Sequence, residues 1–421
     1  MIQDFFFFCP NCKTLNSIRT KGRRAFCEKC NAEIVRKGRM IGVNGDFRKS
    51  DEWFAEIKDM PIPPCAEEPD SLHPGEKCAF IENNATLSQA QFFSDWSPSK
   101  SLHAVLELPQ VIATGCLTAT NKRLLFKGKS QTWSFSLDKI TCVTTDSNHF
   151  IFKVKGLPYY QIDAKSPLQL EIFSRRLLDK YWLEKEERYI LEYQPRLIFK
   201  DGLAEQLTPH RYPRRVKTNN RYSLDKFAYF VIRGIAAAIF RVAFRVKIYG
   251  KKNMPKRGGC IVILNHEGYL DAFFAQSLLP RNISFLAKNS EFKNALNRYI
   301  LKIFSSIPVR RYEIDPGCVR NVLNKIAQQQ AVGIFWEGER TWDGNFLPPK
   351  RGTVKLLIRA GVPVIPVRIK GSFEVLPRWD KGLQFHRVSL HISQPINFDH
   401  SKISIEKATK IIMKALENPV E

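Results

Sequence analysis

Residues 260–271, CIVILNHEGYLD, join a run of apolar, mostly β-branched residues to Asn265, His266 and, after four intervening positions, Asp271. Such a run predicts a buried strand whose carboxyl end carries the histidine to the edge of a sheet, where α/β folds place their ligand sites. On a continuous helix a spacing of five residues rotates two side chains about 140° apart, so His266 and Asp271 can meet only across a strand-to-helix turn. The following AFFAQSLL has helical character and stops at Pro280. The pattern predicts an active site.

A simpler interpretation of this motif stays open on these residues alone. A single histidine after a strand is often a loop residue, and Asp271 has the side chain of a helix N-cap. Three further blocks downstream favour the catalytic interpretation by their order and separations: FSSIPVRR at 304–311, IFWEGER at 334–340 and GVPVIPVRIKG at 361–371.

In this order and at these separations, the four blocks resemble the glycerolipid acyltransferases typified by 1-acylglycerol-3-phosphate acyltransferase (PlsC-like), whose first motif is a histidine, four residues and an aspartate. The resemblance covers about residues 221–396. It implies that His266 is the general base and that Asp271 orients the imidazole, while the acceptor hydroxyl attacks an acyl thioester of coenzyme A or acyl carrier protein. Histidine suits this role because its ordinary pKa of about 6.5 is easily tuned to neutral pH.

The second and third blocks resemble the segments with which this family holds the phosphate of its acceptor, a lysophospholipid such as 1-acylglycerol-3-phosphate. A guanidinium fork is the natural clamp for a phosphate. The match implies these acceptor-binding residues: Arg310, Arg311, Glu337, Gly338, Arg340 and Lys350. Arg310 and Lys350 are equally compatible with an ordinary solvated basic surface. Asn265, Pro363 and Pro366 are expected to shape the pocket.

Glu339 departs from the family pattern, which usually has threonine between the glycine and the arginine of the third block. An additional carboxylate would repel a phosphate held at short range, so it argues against lysophosphatidate as the acceptor. Two resolutions are open from the sequence. Glu339 could pair with Arg310, or it could meet a positively charged group of the acceptor, such as an amine.

The composition describes a folded and strongly basic protein. Its 421 residues, 44% of them hydrophobic, suffice for two or three domains. Lys and Arg outnumber Asp and Glu by 66 to 41, a formal net charge of +25. Such an excess attracts anionic surfaces, either nucleic acid or acidic lipid headgroups, and charge alone does not distinguish the two.

Residues 226–247, KFAYFVIRGIAAAIFRVAFRVK, favour a lipid surface over nucleic acid as the partner. The uncharged run 234–240 is far shorter than the roughly 20 residues of a helix that spans a bilayer. On a helical projection the basic residues lie opposite an apolar face, as in interfacial helices. That face comprises Val231, Ile232, Ile235, Ile239, Val242 and Val246. The alternative is an amphipathic helix packed on the protein's own core, but the basic run 210–221 favours an anionic membrane surface.

Two CxxC pairs near the amino end predict a structural zinc ribbon. The pairs Cys9/Cys12 and Cys27/Cys30 are separated by 14 residues, close to the spacing of four-thiolate zinc sites. A segment this short needs the metal to fold. A pair of redox CxxC sites is the competing interpretation, but no thioredoxin-like βαβ pattern surrounds them. The remaining cysteines, at 65, 78, 116, 142, 260 and 318, are expected to be reduced thiols.

Between the ribbon and the four blocks lies a second module. Residues 41–74 are rich in Pro, Asp and Glu and predict a linker. Residues 75–186 alternate apolar and polar positions over several short stretches and end in a helical segment from about 167, which predicts an antiparallel sheet closed by a helix. With TATNKRLLF in its first half, the module resembles GRAM or pleckstrin-homology-like domains, which implies lipid binding, protein binding or a structural role.

The predicted architecture ends in an α/β acyltransferase domain at 226–421, a mixed β-sheet flanked by helices. Its strands are expected near 260–266, 283–288, 331–337, 362–370 and 388–394. A zinc ribbon at 1–40, a linker at 41–74, a mostly antiparallel β module at 75–186 and a basic linker at 187–225 precede it.

The leading hypothesis is a membrane-associated O-acyltransferase of phospholipid biosynthesis. Because the amino-terminal MIQDFFFFCPNC lacks the features of a secretory signal, we expect the protein at the cytoplasmic face of a membrane. The alternative is a basic zinc-ribbon binding or scaffold protein, on nucleic acid or membrane, with an inert acyltransferase domain. Nucleic acid is not the expected partner.

Overall fold

The computed structural model describes residues 2–21, 24–63, 65, 69, 72–93, 106–146, 149–184, 223–311, 315–399 and 403–419. The chain divides into two compact units. The first comprises Met1–Phe92, Glu107–Tyr193 and Trp379–Lys381, and the second comprises Phe93–Leu106, Gln194–Arg378 and Gly382–Glu421. Most of the predicted basic linker, residues 187–222, lies outside the described residues, and so does the basic run 210–221.

The amino-terminal sheet of the first unit is antiparallel, with its strands in sequential order. They are β1 (Ile18–Lys21), β2 (Arg24–Cys27), β3 (Glu33–Lys37), β4 (Met40–Val43) and β5 (Asp46–Lys49), with helices α1 (Ile2–Phe5) and α2 (Ser50–Lys58) beside them. The predicted linker is therefore wrong for residues 41–58. Asn44 and Gly45 both have positive φ and form the tight turn between β4 and β5, a hairpin signal that the polar composition concealed. Trp53 anchors α2 by donating its indole N–H to the Ile41 carbonyl at 2.9 Å.

The second sheet of this unit confirms the predicted antiparallel module. Its strands are β6 (Cys78–Phe93), β7 (Leu106–Thr120), β8 (Arg123–Gly128), β9 (Thr132–Ser136), β10 (Ile140–Asp146), β11 (His149–Val154) and β12 (Tyr159–Asp163). They lie in the order β10-β11-β12-β6-β7-β8-β9, so the first and last strands of the module are neighbours. Helix α3 (Pro167–Glu184) follows β12 and packs on the sheet, as the sequence predicted.

Aromatic packing connects the two sheets within the first unit. All four residues of the run 5–8, FFFF, are buried. The rings of Phe7 and Phe8 lie 5.9 and 6.3 Å from that of Phe173 on α3. The segment directly before the first cysteine pair is therefore part of a core.

The expectation that all six remaining cysteines are reduced is wrong for two of them. Cys65 and Cys78, which are distant in the linear pattern, are joined by a disulfide at the start of β6. The other four are free thiols, and burial raises the pKa of Cys260 and Cys318.

The second unit is built on a seven-stranded mixed sheet, and the predicted strand positions are confirmed. Its strands are β13 (Lys247–Tyr249), β14 (Cys260–Leu264), β15 (Ile283–Lys288), β16 (Ile307–Val309), β17 (Ala331–Phe335), β18 (Val364–Lys370) and β19 (Ser389–Ile392). They lie in the order β13-β19-β18-β14-β17-β15-β16, and only the β18–β19 pair is antiparallel.

Helices alternate with these strands, as predicted for an α/β domain. They are α4 (Ser223–Ala243), α5 (Asp271–Leu278), α6 (Ala295–Ile303), α7 (Pro316–Ala327), α8 (Arg351–Arg359), α9 (Ser372–Val375) and α10 (Ile405–Glu417). Gly361 caps α8, since it adopts a positive φ of 64° two residues beyond the end of the helix.

Strand β14 lies in the middle of the sheet and is buried on both faces. Val262 and Leu264 point into a core that also contains Phe274 of α5. Ile261 and Ile263 point into a second core, formed with α7, α8 and α10. This burial explains why the run shows no polar alternation. It also fixes the register that delivers Asn265 and His266 to the carboxyl edge.

Helix α4 is apolar on two opposite sides. Ala237 is buried in the core beside Phe274, and Phe240 and Ala243 pack against the same core. The face predicted to be interfacial is exposed instead: Val231, Ile232, Ile235, Ile239 and Val242 are 38 to 81% accessible. The alternative, a helix packed on the protein's own core, holds for the other side of α4, and Val246 of the predicted face also packs against that core. Across the described ranges, no helix combines the length and apolarity that crossing a membrane requires.

Candidate active site

Polar residues that follow three parallel strands meet at one edge of the second unit's sheet. His266 follows β14, Glu337 to Arg340 follow β17, and Ser372 follows β18. Since these three strands are parallel neighbours, their carboxyl ends meet at the same edge, the usual place for ligand sites in α/β sheets. A backbone bond from Thr341 N–H to the His266 carbonyl, 3.0 Å long, links the first and third blocks directly.

The histidine and aspartate of the first block form a hydrogen-bonded pair. His266 Nδ1 lies 2.8 Å from Asp271 Oδ2, across the predicted strand-to-helix turn. Asp271 is the first residue of α5, so its carboxylate lies at the positive end of a helix dipole. With Nδ1–H donating to Asp271, the lone pair of Nε2 is left to accept a proton. The predicted meeting of these two residues is confirmed.

The surroundings of His266 keep its imidazole neutral. Burial lowers the pKa of His266 below its usual value, the hydrogen bond and charge of Asp271 oppose this, and the positive charges of Arg340 and Arg311 lower it further. The ring stacks on Phe335 at 4.1 Å between centroids. A neutral imidazole near pH 7 can act as a general base.

Asp271 is completely buried and held by several donors. Its Oδ2 accepts the backbone N–H groups of Glu267 at 2.6 Å and Gly268 at 2.9 Å, in addition to the imidazole. Its Oδ1 accepts the hydroxyl of Ser372. The carboxylate therefore has the hydrogen bonds that a buried negative charge requires.

Of the predicted acceptor-binding cations, Arg311 and Arg340 act on His266 electrostatically. The Arg340 guanidinium lies 3.5 Å from the centre of the Tyr269 ring, a cation–π contact with a residue of the first block. Arg310 instead faces Asp315, the cap of α7, with Nε 3.9 Å from the carboxylate and its backbone N–H bonded to it at 3.0 Å. The positive charges of Arg340 and Arg311 thus lower the pKa of His266, whereas Arg310 has a local partner in Asp315.

Glu337 is a buried residue that stabilises the backbone of the site. It is 1% exposed, accepts the backbone N–H of His266 at 3.3 Å and accepts that of Leu347 at 3.2 Å. Burial raises the pKa of Glu337 well above its usual range. Gly338 has a positive φ of 73°, and a Cβ there would lie 2.8 Å from the side chain of Lys350. Direct contact of either residue with the acceptor stays a prediction.

Glu339 pairs with two cations, and neither is the Arg310 partner considered from the sequence. Its carboxylate lies 3.6 Å from Lys350 Nζ and 3.5 Å from Arg378 Nη1. Arg378 also donates to the Arg340 carbonyl at 2.8 Å and lies over the Trp342 ring. The extra carboxylate is therefore balanced by two positive charges and stabilises the backbone that carries Arg340.

We expect Glu339→Gln to raise the acceptor KM up to about fivefold, since a partly exposed ion pair contributes up to about 1 kcal/mol. The double variant Glu339→Lys/Lys350→Glu restores a pair of opposite charges. Its acceptor KM should therefore lie below that of Glu339→Lys alone. The measurement is acyl transfer at varied concentrations of a phosphate-bearing acceptor. Glu406→Gln is the matched control, because Glu406 forms an exposed 3.6 Å pair with Arg351. Improved use of the acceptor by Glu339→Gln would show that the carboxylate repels the phosphate.

The three residues expected to shape the pocket lie in different places. Asn265 is buried and bridges two strands, with Oδ1 accepting from Ile369 N–H at 2.7 Å and Nδ2 donating to the Ile369 carbonyl at 2.9 Å. Pro366 pairs with Ile263 inside the sheet. Pro363 precedes β18 at the amino end of β14, about 20 Å of strand from His266 at 3.3 Å per residue. The pocket prediction is wrong for Pro363, because parallel register puts the start of β18 at the opposite edge.

The four amino-terminal cysteines converge, as the spacing predicted. Their sulfur atoms all lie within 4.8 Å of one another, with Cys9 and Cys30 at 3.7 Å and Cys12 and Cys27 at 3.6 Å. A tetrahedral zinc ion with bonds of about 2.3 Å requires sulfur atoms about 3.8 Å apart. The cluster therefore has the donor set and dimensions to hold such an ion.

Sequence reasoning missed three residues of the site: Ser372, Arg378 and Tyr269. Ser372 had a signal, since it is a hydroxyl residue directly after the strand of the fourth block. Tyr269 lies inside the first motif, but its contact with Arg340 depends on the fold. Arg378 had no local signal, because its partner Glu339 lies 39 positions away.

Residues 245–370 match the protein-family model described as Acyltransferase. The predicted resemblance is thereby confirmed at the level of the acyltransferase class. The zinc ribbon and the GRAM or pleckstrin-homology-like type of the first unit stay predictions.

The relatives are named for one acyl transfer. The 1-acyl-sn-glycerol-3-phosphate acyltransferase of Bacillus subtilis (strain 168) is 28% identical over 185 residues, 42% of this chain and 90% of that protein. The chloroplastic enzyme of that name, BAT2, from Brassica napus is 25% identical over 199 residues, 45% of this chain and 56% of that protein. The chain thus spans only about half the length of the latter. The 1-acyl-sn-glycerophosphate acyltransferase structure from Thermotoga maritima is 24% identical, covers 48% of this chain and 82% of that one, and has a TM-score of 0.40.

Proposed function

We propose that the protein transfers a fatty acyl group from acyl-coenzyme A or acyl carrier protein to the free hydroxyl of a lysophospholipid, with 1-acylglycerol-3-phosphate as the leading acceptor. The observation that carries the proposal is the buried His266–Asp271 pair beside Arg311 and Arg340. The pair supplies a base, and the arginines supply positive charge for a phosphate.

In the proposed reaction His266 Nε2 takes the proton of the acceptor hydroxyl while the oxygen attacks the thioester carbonyl. A carbon–oxygen bond forms, the carbon–sulfur bond breaks, and the leaving thiolate receives the proton from the imidazolium. Asp271 stabilises the imidazolium between these two transfers. No covalent acyl-enzyme is needed, because the acceptor itself is the nucleophile.

The charge of the site supports a phosphate-bearing acceptor. Because Glu339 is already paired with Lys350 and Arg378, it does not call for an amine on the acceptor. The doubt that the sequence raised about lysophosphatidate therefore loses its main ground.

Acyl transfer by the purified chain on vesicles tests the proposal, with labelled acyl-coenzyme A or acyl carrier protein as donor. We expect product with lysophosphatidate, less with lysophospholipids that carry larger headgroups, and least with an amine-bearing lyso-lipid. No product with any acceptor or donor, from folded protein, would instead support the binding or scaffold hypothesis, for which a preference for nucleic acid with a steep salt dependence is the expected sign.

We also propose that α4 rests on an anionic membrane, at its cytoplasmic face. The exposed side of α4 is apolar, and the chain carries a formal charge of +25. Apolar side chains below the headgroups and cations at headgroup level act together in interfacial helices. This places a lipid acceptor within reach of the same domain that carries His266.

The double variant Ile235→Asp/Ile239→Asp should weaken binding to anionic vesicles at least tenfold, because each isoleucine contributes about 1.5–3 kcal/mol when it leaves water. Co-sedimentation with vesicles measures the effect. Val111→Asp is the control, since Val111 is an exposed apolar residue of β7 at 66% accessibility. Equal binding of both proteins would contradict the membrane role of α4.

For the first unit we propose a structural zinc ion at the four cysteines and a pleckstrin-homology-like second sheet. The sulfur spacing supports zinc, and the neighbouring first and last strands, closed by α3, support the second assignment. The zinc serves folding, so it takes no part in acyl transfer.

A further inference from the structure

Oδ1 of Asp271 is hydrogen-bonded to a residue that lies just outside the four sequence blocks, Ser372. Oδ2 receives the imidazole and two backbone N–H groups, whereas Oδ1 receives the hydroxyl of Ser372. Asp271 is fully buried and Ser372 is 1% exposed, so water does not reach this bond from outside. Ser372 therefore supplies the side-chain donor to Oδ1, and it fixes the orientation of the carboxylate together with the three donors to Oδ2.

Ser372 is itself placed by the backbone around it. Gly371 ends β18 with a positive φ of 89°, and a Cβ there would lie 2.1 Å from the Arg387 carbonyl oxygen. Only glycine allows this approach, and the turn directs the next residue, Ser372, toward β14. The turn at Gly371 thus fixes the backbone of Ser372. The short serine side chain reaches Asp271 from that position.

The catalytic turn lies tightly against the same segment. A Cβ on Gly268 would lie 2.6 Å from the Ser372 carbonyl oxygen and 2.7 Å from its hydroxyl. Tyr269 N–H bonds to the Leu376 carbonyl at 3.0 Å. The turn that carries His266 and Asp271 is therefore seated on α9, the short helix that Ser372 begins.

We infer that Ser372 is a positioning residue of the acyl transfer: its hydroxyl orients Asp271, and Asp271 in turn holds the His266 tautomer that leaves Nε2 free. The inference rests on the proposed function. The serine that directly follows the fourth block thereby contributes to the chemistry, whereas the block itself was expected only to shape the pocket. Ser372 does not touch the substrate and acts only through the pair.

Kinetics of three variants test the inference. Ser372→Ala should lower kcat about 10- to 100-fold, the range found when an outer partner of an active-site ligand is removed, with the acceptor KM nearly unchanged. Ser372→Thr, which keeps the hydroxyl, should recover most of the loss. In a His266→Ala background the serine change should have no further effect, because residues that act as a unit are not additive.

Ser393→Ala is the matched control, because Ser393 is a buried serine of the same unit that donates to the Ala415 carbonyl at 2.9 Å. If Ser372 had a purely structural role, Ser372→Ala and Ser393→Ala would both have lower stability and the same kcat. Should Ser372→Ala fail to fold, Ser372→Cys keeps nearly the same volume with only a weak donor, and it should show the same kcat loss. Wild-type kcat in the folded Ala or Cys variant would overturn the inference.

A measurement that needs no activity separates this inference from the proposed function. Nitrogen-15 resonances of the imidazole, assigned by their loss in His266→Ala, report which ring nitrogen carries the proton. We expect nearly pure Nδ1–H in the wild type and a mixture of tautomers in Ser372→Ala. Unchanged resonances would overturn the positioning role, while an inactive wild type with the expected resonances would overturn the acyl transfer alone.

Discussion

Replacing His266 by alanine is expected to lower kcat for acyl transfer by about 10²- to 10⁴-fold, the usual contribution of a positioned general base. The residue combines a partner for Nδ1, a lowered pKa and a stacked neighbour in Phe335. His266 is the one histidine in the four sequence blocks. The measurement is kcat with saturating donor and acceptor, from protein of unchanged unfolding midpoint.

His386→Ala controls for the loss of a histidine. His386 is exposed in the same unit and its Nδ1 bonds only locally, to the Arg387 carbonyl at 3.0 Å. We expect this variant to keep wild-type kcat. Asp271→Asn should fall close to His266→Ala, and the double variant should be no worse than either, because the two residues work as one unit. A His266→Ala protein with wild-type kcat would remove the base from the proposed reaction.

The sequence predicted those features of the site that depend on local spacing. The apolar run before Asn265 predicted a buried strand, and the spacing of His266 and Asp271 predicted a turn between strand and helix. The four cysteines were found in the same way, from two short motifs. Each of these patterns is complete within a few residues, so hydrophobic periodicity and spacing suffice to describe it.

The features that were missed or wrong depend on contacts between distant positions. Ser372 and Asp271 are 101 positions apart, and only the parallel register of β18 beside β14 brings them together. The partners of Glu339 are set by how the chain after β17 folds back, so the sequence offered Arg310 where the structure has Lys350 and Arg378. The prediction for Pro363 was wrong for the same reason. Whether a residue lies at the amino or the carboxyl edge depends on the direction in which its strand runs in the assembled sheet.

Loss of the zinc ion proposed for the four cysteines is expected to have the largest effect on stability of any change to the first unit. Cys27→Ser should release zinc and unfold the amino-terminal sheet, because binding free energies of structural zinc sites are about 10–16 kcal/mol at neutral pH. The strands β1 to β5 have only four or five residues each, too few to form a large core without a cross-link. Metal content by elemental analysis and the unfolding midpoint measure the two effects.

The position of the cluster determines how far that loss should spread. Cys9 directly follows the buried run 5–8, and Cys27 ends β2, so the metal would tie the aromatic segment to the sheet. We therefore expect Cys27→Ser to expose Phe7 and Phe8 to proteolysis as well. Cys116→Ser is the control, because Cys116 is a half-buried free thiol on β7, outside the cluster. Metal-free protein with an unchanged midpoint would contradict the structural role, since the sheet would then be held by its aromatic core alone.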